Sequence, residues 1–369
     1  MKVILLLGTR KGLFVAESDA RRESWEIRGP LISGTWAILN ASLYPFPCGP
    51  ETTVPTIFAG GASNWYGAAV WRSRDLGATW THSSEGLTYG DEGPEIRQIW
   101  CVTPSVDSSG RRVLYAGVEP AGLFRSEDDG DSWIHVAGLR AHPSRSAWRA
   151  TAGGMCLHAI VPHPIDPLRI WVGISSGGVF HTGDEGRTWN RCDAVPDDPL
   201  HPMLHPCVHA LALADAQGRD LDPRLYQRNH DGVYRSDDGG VSWRDISAGL
   251  PSRFGFPLAV HPRLPETLYV VPLESDQPGR RIVPGGRMAV WRSRDAGAHW
   301  QALSRGLPQD RASLSVLRGA LALDALDPAG VYVGTKTGQV YWSIDEGDLW
   351  KEMPFRLPPI YSIAVDQIS

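Results

Sequence analysis

The chain has 369 residues, 42% of them hydrophobic and 21% charged, with a formal net charge of −5. This is ordinary globular composition; the acidic balance offers no general basic footprint for nucleic acid, and no apolar run approaches membrane-spanning length. The cysteines at 48, 101, 156, 192 and 207 are odd in number and not spaced as a small disulfide framework, so reduced thiols are expected. The first apolar run, 3–7, is too short for a secretory core, and a cytoplasmic protein is expected.

In chain order, segments 2–7 and 12–17 and the stretch around Trp25 read as strands. An eight-residue pattern, Ser-x-Asp-x-Gly-x-Thr/Ser-Trp, then recurs six times, starting at Ser73, Ser126, Thr182, Ser236, Ser293 and Ser343. The intervals run from 50 to 57 residues. Each copy carries an Asp (75, 128, 184, 238, 295, 345), a Gly (77, 130, 186, 240, 297, 347) and a Trp (80, 133, 189, 243, 300, 350). The carboxylate can cap free amides of a turn, the glycine can take a positive φ, and the indole buries a large ring beneath the returning chain. Each copy follows a strand, as in 178–181 and 232–235, so it reads as a hairpin staple with a structural role for its acid.

These copies resemble the Asp-box, or BNR, repeat of sialidases, sortilin-type receptors, xyloglucan-active glycosidases and a photosystem-assembly factor. In that superfamily the repeats lie at the periphery of propeller blades, away from the active site. The resemblance therefore implies a sialidase-like or sortilin-like propeller, of the kind often labelled glycosyl hydrolase.

A worn seventh copy precedes the others: Ser18, Ser24 and Trp25 keep their places, while Ala20 and Arg22 stand in the Asp and Gly positions. This first unit lacks an inner strand, and a matching segment, 360–366, follows the last copy. Its counterparts are 157–161, 208–213, 256–260 and 319–323. The expected fold is all-β, a single seven-bladed β-propeller domain over 1–369, with four-stranded blades and a ring closed by the C-terminal strand. A β-solenoid is the alternative.

Segments 83–96, 138–154 and 274–287 exceed what the repeat needs. Propeller ligands normally sit over the channel mouth, lined by the loops joining second to third strands and by the lead-ins to inner strands. The loops supply Arg10, Lys11, Asn64, Trp65, Tyr66, Glu119, Ser175, Ser176, Arg228, Asn229, His230, Glu274, Arg280, Arg281, Arg287 and Lys336. The lead-ins supply Trp36, Gln98, Trp100, His158, His209, Phe254, Arg318 and Tyr361. Cations and aromatic rings at a concave mouth suit a small anionic or carbohydrate-like ligand. Arg10, His158, His209, Arg318, Tyr361 and Glu274 are expected to bind it, and Glu119 and His230 would transfer protons in a glycosidase-like hydrolase or lyase; Arg10, Glu119, His158, His209, His230, Arg318 and Tyr361 are expected to line one shared cavity.

No cofactor is expected, and neither nucleic acid nor membrane is an expected partner. Cys156-x-His158 and Cys207-x-His209 nevertheless put Cys and His on one side of successive inner strands, a set that zinc or copper would accept in a metal-dependent enzyme. His205, His230 and Met155 are nearby. His163 and His261, each before Pro, read as turn residues, whereas His142 and His201 carry no signal. Sialidase chemistry lacks its Phe-Arg-Ile-Pro opening here, and Arg10, Arg318, Tyr361 and Glu119 imitate that active set without sitting at a matching motif. The competing reading is a non-catalytic scaffold whose basic loops dock a partner protein.

Overall fold

The computed structural model describes residues 1–32, 34–44, 55–150, 153–195, 203–214, 223–275 and 281–368. Cys48, His201 and Arg280 fall outside them. Seven four-stranded antiparallel sheets follow one another around a ring, giving a seven-bladed β-propeller. Blade one joins Lys2–Thr9, Gly12–Asp19 and Glu26–Arg28 to the C-terminal strand Ile360–Ile368, which is its inner strand. Blades two to seven begin with the inner strands Trp36–Tyr44, Gln98–Val106, Leu157–Pro162, Ala210–Leu213, Gly255–Val260 and Leu321–Leu323.

The strands in the middle of each blade do not alternate in burial. All five residues of Ile170–Ile174 and of Leu268–Pro272 are buried, as are seven of the eight in Lys2–Thr9. Both faces of such a strand are covered, since blade packs on blade, and the sequence answers with continuous apolar runs. The core is correspondingly divided among the seams. Ile4 and Leu6 meet Ile38 and Ile57 between blades one and two, and Trp171 meets Val208 and Leu225 between blades four and five.

The recurrent turns connect third to fourth strands. In the first, the Ser73 hydroxyl donates to Asp75 Oδ1 at 2.7 Å and accepts the Gly77 amide at 2.8 Å. Asp75 also accepts the Thr79 amide at 2.8 Å and the Thr79 hydroxyl at 2.6 Å, and Trp80 Nε1 donates to the Gly77 carbonyl at 3.0 Å. The turns at Ser126, Thr182 and Ser236 repeat this hydroxyl and carboxylate geometry. His299 and Leu349 replace the second hydroxyl in the last two, where the backbone bond to the Asp persists. The sequence reading places positive φ at the glycine; in all six copies the preceding residue, Leu76, Asp129, Glu185, Gly239, Ala296 or Glu346, adopts it as well. His163 and His261 serve their turns as expected, each Nδ1 accepting two following amides.

Ring closure is a full strand pairing. Lys2 to Thr9 runs antiparallel to Ile368 to Ile360, and Gly319 bridges Ser362 across the blade seven to blade one seam. The worn turn contributes to that seam. Arg22 takes the left-handed φ of 58° where other copies have Gly, and its guanidinium meets Asp324 at 2.9 Å with both side chains buried. Asp324 also accepts the Tyr332 hydroxyl at 2.7 Å, and Trp342 Nε1 donates to the Arg22 carbonyl at 2.9 Å.

Deleting residues 359–369 removes the inner strand of blade one and exposes a long apolar edge. The truncated protein is expected to aggregate or unfold without cooperativity; melting unchanged from the full chain would refute closure.

Hydrogen bonds also make the turns acid-sensitive. Thr79, first through its hydroxyl and then its amide, holds the Asp75 carboxyl down at about 2. Asp184 and Asp295 also sit at about 2, although burial pushes them up, because Thr188 and His299 donate to them. A carboxyl held below its unfolded value stabilises the fold above that value, and the contribution is lost as pH falls through the folded value. Stability should therefore decline between about pH 4 and pH 2. Asp75→Asn, Asp184→Asn and Asp295→Asn combined should flatten that decline in acid-denaturation curves while lowering stability at pH 7.

Candidate functional site

The channel mouth is built from irregularities of the inner strands. Pairing with the second strand shifts register between Ile38 and Asn40, between Ile99 and Cys101, and between Leu157 and Ala159. A matching shift opposite Gly8 and Thr9 leaves Tyr361 unpaired. A wider shift between Gly255 and Leu258 frees Phe256 and Pro257 in blade six; the other four shifts free one residue each, Leu39, Trp100, His158 and Tyr361. A bulge re-aims a side chain that a regular pleat would direct elsewhere. These four line one cavity of about 350 Å³, with Ala37, Asn40, Gln98, Leu317, Arg318 and Gly319.

Arg318 dominates its electrostatics. Its guanidinium lies 5.6 Å from the Trp100 ring centroid and 5.1 Å from that of Phe256, and its buried Nε has no hydrogen-bond partner. Among the described residues it forms no ion pair. Burial, reinforced by Arg318, pushes the His158 imidazole down to about 3, so the ring is neutral and its Nε2 donates to the Val208 carbonyl at 2.7 Å.

Glu119 stands behind Trp100, whose Nε1 donates to its Oε2 at 3.1 Å, with Arg97 3.9 Å from the other oxygen. Gly154, at φ +80°, packs against the carboxylate so closely that an added Cβ would collide with it. Glu119 therefore orients a cavity wall and does not itself line the cavity.

The expected mouth residues separate into several places. His158, Arg318 and Tyr361 share the cavity just described. His230 lines a second cavity of about 640 Å³ with His205, Asp231, Tyr234, Trp243 and Arg253. His209 is buried beside it, 1% exposed, with Nδ1 2.7 Å from the Gly255 carbonyl and its ring against Phe254 and Phe256. Arg10 lies exposed near Tyr361, and Glu274 closes its own loop by accepting the Gly285 amide at 2.7 Å. The one shared cavity is therefore corrected: His158, Arg318 and Tyr361 line one cavity, His230 lines another, and Glu119, His209, Arg10 and Glu274 line neither. His209 and Phe254 pack their rings against His230, with centroids 4.7 and 5.3 Å away.

The paired Cys-x-His motifs also diverge. Cys156 is fully buried, its thiol pushed up to about 12 by burial, and His158 is committed to Val208. Cys207, His209 and His230 instead bring their donor atoms within 4.8 Å of one another. The four described cysteines are all free and buried.

Leu39 and Asn40 escaped the sequence reading, as did the aromatic and acidic wall of the second cavity. Bulge positions leave no compositional mark. At the rim, the indicated Trp65 and Tyr66 are 79% and 74% exposed, and Tyr66 stacks over Trp36 at 6.5 Å and 10°.

No family model matches the chain. By sequence it is similar to an oligoxyloglucan-reducing end-specific xyloglucanase of Emericella nidulans, 25% identical over 231 residues, covering 52% of this chain and 26% of that protein. It is similar also to a xyloglucanase of Hypocrea jecorina, 26% identical over 266 residues, covering 64% of this chain and 29% of that protein. The chain thus spans under a third of the length of these relatives. Among solved structures, the GH74 enzyme of Niastella koreensis superposes with a TM-score of 0.54 at 14% identity, covering 97% of this chain and 65% of that one. YCF48 bound to D1 peptide gives 0.52 at 17% identity, covering 87% and 85%. The chain is accordingly a seven-bladed β-propeller with xyloglucanases among its relatives.

Gly154→Ala should force Glu119 away from Trp100 and strain a left-handed residue, costing on the order of 1 kcal/mol or more in thermal denaturation. Unchanged stability, with Glu119 still bonded to Trp100 in a crystal structure, would contradict this packing.

Proposed function

We propose that the protein is an Asp-box propeller that binds a small carbohydrate-like ligand bearing an anionic group at the channel mouth. The observation that carries the reading is Arg318, a guanidinium held over Trp100 at 5.6 Å and without an ion-pair partner among the described residues. A cation fixed by flat rings and facing a cavity wants a carboxylate or phosphate. Tyr361, Gln98 and Asn40 add hydrogen-bonding groups to the walls, and Trp65 and Tyr66 offer exposed ring faces at the rim. The similarity to xyloglucanases points to a glycan as the ligand's body.

Hydrolysis is the narrower form of the proposal. Glycosidases ordinarily act with two carboxyl groups flanking the bond, and none belongs to the described lining of this cavity. Glu119, one hydrogen bond behind the Trp100 wall, is a carboxyl group adjoining the cavity. Binding is therefore the stronger part of the proposal, with Glu119 as the acid to test.

Isothermal titration with xyloglucan oligosaccharides and with uronate-bearing oligosaccharides tests both parts. The anionic series should bind more tightly. Arg318→Ala should weaken it by about 1.5 to 3 kcal/mol, the scale of a charge-assisted hydrogen bond. Equal affinity of Arg318→Ala and the native protein would refute the site. Turnover that disappears in Glu119→Gln at unchanged affinity would make the protein a hydrolase.

A further inference from the structure

We propose that Cys207, His209 and His230 form a binding site for a zinc-class cation. The donors come from one blade. Cys207 and His209 lie just before the inner strand Ala210–Leu213, and His230 lies in the loop between Leu225–Arg228 and Val233–Ser236. These are the two kinds of segment that a propeller brings to the same end of its channel. The Sγ atom and one nitrogen from each ring lie within 4.8 Å of one another. Bonds of about 2.0 to 2.3 Å around one centre need donors about 3.3 to 3.8 Å apart, so a closure of about 1 Å completes the set.

The surroundings prepare each donor. His209 Nδ1 donates to the Gly255 carbonyl at 2.7 Å, which fixes the tautomer that leaves Nε2 with its lone pair. A backbone carbonyl behind a ligating imidazole is the usual outer support of a metal-bound histidine. Ser175 Oγ stands 3.3 Å from Cys207 Sγ and can donate to a thiolate. The His230 ring nitrogens have no hydrogen-bond partner among the described residues. The ring itself is held in place by His205, stacked on it at 4.6 Å with 2° between planes, and His205 is fixed in turn because its Nδ1 accepts the Cys207 amide at 3.1 Å.

The ion would also have room for a further ligand. His230 and His205 face the cavity of about 640 Å³, and Cys207 and His205 face another of about 420 Å³. Three protein ligands and an open fourth position are what a non-structural zinc site presents. The facing charges are mixed: Arg318 and Arg281 oppose a cation, whereas Asp231, beside His230, and the Cys207 thiolate favour one. The equivalent motif one blade earlier gathers no third donor: among the described residues Cys156 and His158 belong to no group of three such side chains, whereas Cys207 and His209 are joined by His230. The proposal does not rest on the ligand assigned to the Arg318 cavity.

The test uses the full chain purified without an affinity tag, dialysed against zinc and then against buffer, with metal content measured by elemental analysis. One zinc per chain is expected. His230→Ala, whose ring is only half-buried, should fold normally and bind zinc at least about tenfold more weakly. Cobalt substitution should give a thiolate-to-metal charge-transfer band that Cys207→Ser lacks. Zinc retention in the native protein no greater than in His230→Ala, with both proteins folded by circular dichroism, overturns the proposal. Full retention by both Cys207→Ser and His230→Ala also overturns it, because the bound metal would then lie elsewhere.

Discussion

Everything at the channel mouth depends on one pairing, that of the C-terminal strand with the N-terminal one. Without Ile360–Ile368, blade one would end in the unpaired edge of Lys2–Thr9, whose residues are almost all buried. Tyr361 would also be absent from the cavity. The seam between blade seven and blade one, which the C-terminal strand also enters, contains a buried ion pair, Arg22 to Asp324, tied to Tyr332. Such pairs add little net stability against an apolar alternative, yet removing one partner leaves an uncompensated buried charge. The pair occupies the one turn whose Gly position is held by Arg, so loss of either partner would strand the other inside the seam.

The recurrent turns and the mouth divide the labour of a blade between its two ends. At the outer end, a hydroxyl, a carboxylate and an indole hold third and fourth strands in a fixed hairpin, and the same atoms recur from blade to blade. At the inner end, the pleat is broken in five blades and the unpaired residues differ each time: Leu39, Trp100, His158, Tyr361, and in blade six Phe256 with Pro257. Uniform staples keep the scaffold rigid, so variation at one or two positions per blade can compose a cavity of mixed character.

Most of the fold was legible because the repeat is written in residue types. A Ser, Asp, Gly and Trp at fixed offsets count the blades, and a missing strand at one end with a spare at the other reveals the closure. The cavity was only partly legible. Trp100, His158, Arg318 and Tyr361 could be placed near the mouth from their position in the repeat, but a bulge is a property of pairing and leaves no local signature. Glu119 and His230 looked equivalent as loop residues. His230 packs against the rings of His209 and Phe254, a relation that spacing does not encode. Arg22 is a similar case: its mismatch to the turn pattern reads as decay, whereas in three dimensions it reaches Asp324.

The charge of the mouth runs against that of the molecule. The chain carries −5 overall, yet the groups that converge there include Arg318, Arg281 and Arg10, and burial with nearby guanidinium charge keeps the imidazoles of His158, His209 and His230 neutral. Net charge governs solubility and distant steering, whereas recognition is decided within about 10 Å, the distance over which salt screens. A cation at Cys207, His209 and His230 would sit close to Arg318 and be repelled by it; an anion on Arg318 would relieve that repulsion. Occupancy of either site would then raise affinity at the other, and linkage would make the effect equal in both directions. The two cavities are separate in shape but share one electrostatic field, with Arg318 at its centre.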